Sequence, residues 1–227
     1  GTKPVWEAGS LTRGIGYGLV GSNHRLFIAN RDISLGGKQI FVFNALTGDS
    51  VAMLDATIIS GGTYPINDVE VSADGIIFVC NLTTNSSTSA FKVYKYTSEV
   101  AAPVEAINYT SATGYRLGDK FTVSGSTADN SIVIWAANAA ATGEVVKFTT
   151  TDNGATFSAT VISVGTLVSF SSAAIGPLAN GDFYFNAHGM NAQKFTSTGT
   201  LVGTIPGTAL GTSGSALRFM NLFSVSG

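Results

Sequence analysis

The residues with the chemistry of a binding or catalytic site are unevenly placed along this chain. Only 11% of its 227 residues are charged. Even so, charged and polar side chains gather where the innermost strands of a repeating β-structure would begin: Arg13, Asn67, Asp68, Glu70, Arg116, Asp119, Lys120 and Arg218. Guanidinium groups bind carboxylates and sulfates through paired hydrogen bonds. The arginines are therefore candidates for a cationic ring that holds an acidic ligand.

Three other roles fit the same residues. Arginines paired with Asp68 and Asp119 would fill the centre of the structure with ion pairs and fix its register. Inner-strand carboxylates about 5 to 9 Å apart, from Asp68, Glu70 or Asp119, would instead serve a glycan hydrolase or lyase. The same carboxylates are candidate calcium ligands, although their spacing is not that of an EF-hand. These alternatives stay open, and we expect a non-enzymatic binding role.

Other catalytic chemistries lack the residues that they need. His24 and His188 are the only histidines and Cys80 is the only cysteine, so a zinc site with three or four such ligands cannot be assembled. No Gly-x-Ser-x-Gly nucleophile elbow occurs. Gly16, Gly18 and Gly21 match the spacing of the dinucleotide fingerprint, but no helix is predicted after them, so we interpret the match as fortuitous. We predict no catalytic residue, no cofactor and no bound metal.

The elements that must position these residues repeat along the chain. Four short apolar segments, each preceded by a turn, resemble one another: residues 26–30, 77–81, 134–138 and 183–187. A second set of β-rich segments follows them and places Lys95, Lys147 and Lys194 in register, with spacings of about 50 residues. Four strands in about 50 residues is the period of a β-propeller blade.

This repeat predicts an all-β protein, a single β-propeller-like domain over residues 1–227 with four to five four-stranded blades. The modules span about residues 12–60, 64–111, 116–165 and 171–207, with a partial module at 215–227. Segment 76–80 is apolar on both alternating faces, which is typical of a strand packed between neighbours.

The fifth blade raises a question of closure. Even with residues 3–8 as an outer strand, a blade that begins at 215–227 would lack its middle strands. An unpaired strand edge favours association with another chain. We therefore expect either a longer parent protein or a homo-oligomer that completes the propeller.

One turn carries a motif known from sialidase-like propellers. Residues 150–157 match the Asp box, Ser/Thr-x-Asp-x-Gly-x-Thr-Trp/Phe. In this motif Asp152 accepts hydrogen bonds within the turn, Gly154 takes a left-handed conformation, and Phe157 packs beneath, next to Thr156. The motif predicts a structural turn between the third and fourth strands of a blade. It supports the fold and does not indicate a glycosidase.

The composition restricts the partners that we expect. The net charge is −2 and the twelve basic residues are scattered, so no basic stripe is available to neutralise nucleic-acid phosphates. The longest apolar runs, such as residues 76–80, are far shorter than a transmembrane segment. Low charge with many Ser and Thr residues favours an extracytoplasmic protein that is secreted, periplasmic or at the cell surface. We expect it to recognise a glycan, a peptide or a protein.

Several segments resemble a known family. Residues 13–17, 61–75, 81–85, 91–94 and 116–125 are similar to DUF4623, a family of secreted proteins from gut Bacteroidetes whose function is not known. The likeness spans most of residues 5–226. It implies a propeller-like, extracytoplasmic protein and no catalytic residues to carry over. The family members are longer, which implies that this chain is part of a larger protein.

Overall fold

The computed structural model describes residues 11–139, 142–165, 173–187 and 190–206. These ranges contain sixteen β-strands and, as a helical element, the short 3-10 helix Ile33–Leu35. The predicted outer strand at residues 3–8 and the partial module at 215–227 lie outside the described residues. Within the described ranges, no helix has the length and apolar character needed to cross a membrane.

The strands form four antiparallel sheets, and strands that are consecutive in the chain are neighbours in each sheet. Blade 1 contains β1 (Thr12–Val20), β2 (Asn23–Asn30), β3 (Gln39–Asn44) and β4 (Ser50–Met53). Blade 2 contains β5 (Tyr64–Val71), β6 (Ile77–Leu82), β7 (Phe91–Tyr96) and β8 (Val104–Tyr109). Blade 3 contains β9 (Phe121–Ser124), β10 (Val133–Ala137), β11 (Glu144–Thr149) and β12 (Ser158–Ser163). Blade 4 contains β13 (Ala174–Pro177), β14 (Phe183–Asn186), β15 (Gln193–Phe195) and β16 (Leu201–Thr204).

The first strand of each blade packs against the first strand of the next blade: β1 on β5, β5 on β9 and β9 on β13. Apolar side chains fill the spaces between the blades. In β6, Ile77 and Val79 pack toward blade 1, whereas Phe78 and Cys80 pack toward blade 3. The propeller-like, all-β architecture predicted from the repeat is confirmed.

Strand β1 requires glycine where it faces β5. A Cβ atom at Gly14 would lie only 2.2 Å from Oδ1 of Asp68, and one at Gly16 would lie 2.4 Å from the Val69 carbonyl oxygen. Both distances are far shorter than real Cβ contacts. The glycines that resemble a dinucleotide fingerprint therefore lie in and beside a β-strand, and Gly14 and Gly16 let the two inner strands approach each other closely.

A buried asparagine stands within one residue of the end of the second strand in each of the four described blades: Asn30, Asn81, Asn138 and Asn186, each at most 1% exposed. Asn81 donates from Nδ2 to the Ala90 carbonyl (3.0 Å) and accepts at Oδ1 from the Lys92 N–H (3.0 Å). Net, each such hydrogen bond contributes about 1 kcal/mol. These amides stabilise the loops between second and third strands, a role that the repeated Asn marks in the sequence but that the sequence analysis did not assign.

The Asp box lies between β11 and β12, the third and fourth strands of blade 3. Oδ1 of Asp152 accepts from the Thr156 N–H (2.9 Å), and Oδ2 accepts from the Thr156 hydroxyl (2.6 Å). Hydrogen bonds from Thr150 and Thr156 hold the pKa of Asp152 far below its ordinary value. Gly154 has a φ of +70°, and Phe157 packs against the core between blades 2 and 3. Each of these residues is engaged within the turn or the core.

Candidate functional site

Asp68 is the most deeply buried carboxylate of the inner strands. It lies on β5 with its side chain inaccessible to solvent, 2.8 Å from Nζ of Lys120. Its second oxygen accepts a hydrogen bond from the Phe121 N–H (3.2 Å). Burial raises the pKa of Asp68, whereas Lys120 opposes that rise. The partner of Asp68 is therefore a lysine from the start of blade 3, where the ion-pair alternative expected an arginine.

Glu70 stands two residues further along β5, on the same side of the strand as Asp68. Burial, together with the charge of Asp68, raises the pKa of Glu70 well above its ordinary value. Burial lowers the pKa of Lys120 and the ion pair with Asp68 raises it, with a net rise. The charges of Asp68, Glu70 and Lys120 thus interact with one another between blades 2 and 3, and we call these three residues the buried carboxylate cluster.

We expect the stability of Glu70→Gln, measured relative to wild type, to be higher at pH 8 than at pH 4. A carboxyl whose pKa is raised on folding binds its proton more tightly in the folded state, so stability falls as pH rises through that range. The slope for one such proton is at most about 1.4 kcal/mol per pH unit. Chemical denaturation of both proteins between pH 4 and pH 8 measures the difference.

Glu105→Gln provides a control with the opposite sign. Partial burial of Glu105 is outweighed by hydrogen bonds from Lys92 (2.7 Å) and Asn108 (2.8 Å), which hold the pKa of Glu105 below its ordinary value. That substitution should lower stability at neutral pH and have less effect as pH falls through this lowered pKa. Equal pH dependence for wild type and Glu70→Gln would contradict the raised pKa of Glu70.

Arg116 and Asp119 form a second pair, in the segment that leads into β9. Nε and Nη2 of Arg116 donate to the two carboxylate oxygens of Asp119 at 2.6 and 2.7 Å. Asp119 is 6% exposed. The same segment is tied to blade 2, because Nδ2 of Asn67 donates to the carbonyls of Gly118 (2.6 Å) and Asp119 (3.1 Å). The Asp119 carboxylate is therefore fully used by one arginine.

Arg31 joins this group although the sequence analysis did not select it. It follows the buried Asn30 at the end of β2 and donates from Nη1 to Oδ1 of Asn67 (2.7 Å). Its guanidinium carbon lies 3.7 Å from the centre of the Tyr64 ring. Burial lowers the pKa of Arg31, and the charges of Arg13 and Arg116 lower it further, whereas Tyr64 and Asp119 oppose this shift. The only sequence signal for Arg31 is its place after a repeated asparagine.

The predicted site residues fall into two groups. Asp68, Glu70 and Lys120 form the buried carboxylate cluster. A second group lies at the starts of the inner strands and comprises Arg13, Asn67, Arg116 and Asp119, together with Arg31 and Tyr64. We call this second group the inner-strand face. Arg218 and His188 lie outside the described residues.

Two cavities lie apart from these groups among the described residues. In the described ranges no group of three or more His, Cys, Asp or Glu side chains could hold a metal ion. A cavity of about 260 Å³ lies beside β8 and β12 and is lined by residues that include Glu105, Tyr109 and Phe157. Another, of about 410 Å³, lies on blade 1 beside Lys38 and Met53. Neither contains a residue of the inner-strand face.

Comparison with solved structures places the fold among propellers. A DUF4623 family protein from Bacteroides eggerthii DSM 20697 superposes with a TM-score of 0.65 at 17% identity, over 86% of this chain and 44% of that one. A GH43 β-xylosidase/α-arabinofuranosidase from a compost microbial metagenome superposes with a TM-score of 0.52 at 11% identity, over 86% of this chain and 78% of that one. An α-L-arabinofuranosidase from Fusarium graminearum superposes with a TM-score of 0.53 at 9% identity, over 89% of this chain and 67% of that one. At these identities the likeness shows the β-propeller fold alone.

The sequence comparisons define the family. This chain spans less than half of the Bacteroides protein, and that likeness supports the resemblance to DUF4623 at the level of the fold. No curated protein matches the sequence. Residues 34–175 match a different family model, that of a domain of unknown function, DUF8500. Because this match covers more than half of the chain, the protein belongs to the DUF8500 family.

Proposed function

We propose that this protein is an extracytoplasmic binding or scaffold module that recognises a glycan, peptide or protein partner with its inner-strand face. The observation that carries this proposal is the contrast between its acidic and basic groups. Asp68 and Asp119 are both buried and held in ion pairs. Arg13, by comparison, is only partly buried and forms no ion pair with another described residue. Such a face can hold a partner but lacks an accessible pair of carboxylates.

A glycan-active enzyme is the second candidate, and Glu70 is the observation that favours it. Its raised pKa is a property of general acids in glycoside hydrolases. The adjacent Asp68 would have to supply the second carboxylate, yet its side chain is inaccessible and bound to Lys120. The propeller neighbours that are glycosidases share only the fold, so they add no support for catalysis.

A thermal-shift screen with product analysis tests the proposal. The chain is incubated with neutral and acidic oligosaccharides and with peptides, and every hit is examined for products. A ligand at 100 times its Kd adds ~2.7 kcal/mol of stability. We expect hits that remain chemically unchanged and that weaken in Arg31→Gln.

Lys194→Gln is the matched control for this screen. It removes one positive charge from blade 4, where Lys194 pairs with Asp182 at the surface (3.3 Å). This variant should bind like wild type. Consumption of a hit would overturn the binding proposal in favour of an enzyme. A hit that Arg31→Gln and wild type bind equally would show that the inner-strand face is not the binding surface.

A further inference from the structure

Three arginines come together on the inner-strand face from two different blades. Arg13 is the second residue of β1, Arg31 follows β2, and Arg116 precedes β9. The start of β1 lies beside Arg31, because Thr12 pairs with Asn30 and the Arg31 N–H donates to the Leu11 carbonyl (3.0 Å). We call these three residues the arginine cluster.

The arginine cluster has more positive charge than its neighbours neutralise. Both oxygens of Asp119 are taken by Arg116. Arg13 is absent from the ion pairs that the described residues form with one another. Nη1 of Arg31 donates to the neutral amide of Asn67, and Nε of Arg31 is buried without a hydrogen-bond partner. Among the residues that the structure describes, neither Arg13 nor Arg31 forms an ion pair with a carboxylate.

This arrangement is costly for the free protein. Like charges repel strongly where water is partly excluded, and a buried donor without a partner loses its hydration with no compensating hydrogen bond. An oxyanion bound between Arg13 and Arg31 would remove both penalties at once.

The geometry of Arg31 also prepares it for an oxyanion. The Tyr64 ring supports the flat face of the guanidinium, and Asn67 holds one of its terminal nitrogens. A guanidinium fixed in this way loses little conformational entropy when it donates two hydrogen bonds to a carboxylate or sulfate. Arg31 is therefore held in place before a ligand arrives.

We infer that the ligand of the inner-strand face carries a carboxylate or sulfate group, and that Arg13 and Arg31 bind this group. The inference rests on the proposed binding function and names the chemical class of its ligand. Uronic acids, sulfated sugars and the free anions share the oxyanion chemistry. Arg116, whose charge is balanced by Asp119, positions the segment beside the group.

The test compares four probes in thermal-shift and calorimetric titrations at constant ionic strength, set with NaCl. The probes are sulfate, galacturonate, galactose 6-sulfate and neutral methyl galactoside. Wild type should be stabilised by the acidic probes and not by the neutral one. Arg13→Gln should bind the acidic probes about 10- to 100-fold more weakly, which is the loss of a hydrogen bond to a charged group. Comparing the binding of sulfate with that of galactose 6-sulfate shows whether the site takes a free anion or an anionic saccharide.

Stability without a probe gives a second, independent readout. Arg13→Gln relieves repulsion, so its melting temperature should equal or exceed that of wild type. A lower melting temperature for Arg13→Gln, with Lys194→Gln unchanged, would show a structural role for Arg13 and overturn the inference.

The remaining outcomes separate this inference from the proposed function. Equal binding of neutral and acidic probes would agree with the binding function but contradict the inference that the ligand carries an oxyanion. Binding of the acidic probes with formation of products would support the oxyanion and overturn the non-enzymatic function. No response to any acidic probe beyond that of NaCl would overturn the oxyanion.

Discussion

Replacing Lys120 with methionine should destabilise the fold by about 3 to 5 kcal/mol at neutral pH, because it removes one partner of a buried ion pair. Asp68 would then be left inaccessible to solvent, with the Phe121 N–H as a remaining donor to its carboxylate. Methionine keeps most of the length of the lysine stem, so the loss of stability comes more from the missing charge than from altered packing. Urea denaturation at pH 7 measures the change in the free energy of unfolding.

The loss from Lys120→Met should shrink as pH falls. Without Lys120, the folded-state pKa of Asp68 rises further above its unfolded value, so the penalty is full only above that raised pKa. It disappears below the unfolded value, about 3.9. The double variant Asp68→Asn/Lys120→Met should recover part of the stability. Lys194→Met, at a surface ion pair, should cost at most about 1 kcal/mol; a similar small loss for Lys120→Met would contradict the buried pair.

Gly118→Ala should also destabilise the fold, by about 3 to 5 kcal/mol, because it combines steric overlap with backbone strain. Gly118 has a φ of +90°, and a Cβ atom there would lie 1.9 Å from the Asn81 carbonyl oxygen. Relief would have to move the backbone that also accepts a hydrogen bond from Asn67. The inner-strand face would be distorted together with the fold.

Gly36→Ala separates the two contributions to this loss. Gly36 has nearly the same φ, +92°, but no atom lies within 4 Å of its added Cβ. Its substitution should therefore cost only the strain, about 1 kcal/mol. Thermal denaturation of both variants measures the difference. Equal losses of stability in the two variants would contradict the close contact between the Gly118 segment and blade 2.

The architecture could be predicted because its signals are local and repeated. Segments 77–81 and 134–138 follow turns at similar spacings, and their apolar residues on both faces indicate burial between neighbours. The Asp box at 150–157 specifies its own turn through contacts within eight residues. Such features need no knowledge of how distant parts of the chain meet.

The site was predicted less completely because its contacts join different blades. Asp68 and Lys120 are 52 residues apart in sequence, and the choice between Lys120 and an arginine depends on how blades 2 and 3 pack. Arg31 was missed because it lies after a second strand, not at the start of an inner one. The chain after Asn30 places Arg31 in contact with Asn67 and Tyr64, and no local sequence pattern predicts these contacts.

The location of the ligand site is tested most directly by anomalous diffraction from crystals of the chain soaked in selenate, a heavier analogue of sulfate. We predict an anomalous peak within hydrogen-bond distance of the guanidinium groups of Arg13 and Arg31, and its loss in crystals of Arg13→Gln. Peaks confined to the cavity beside Tyr109 and Phe157, or a peak that persists in Arg13→Gln, would contradict the assignment of the inner-strand face as the binding surface.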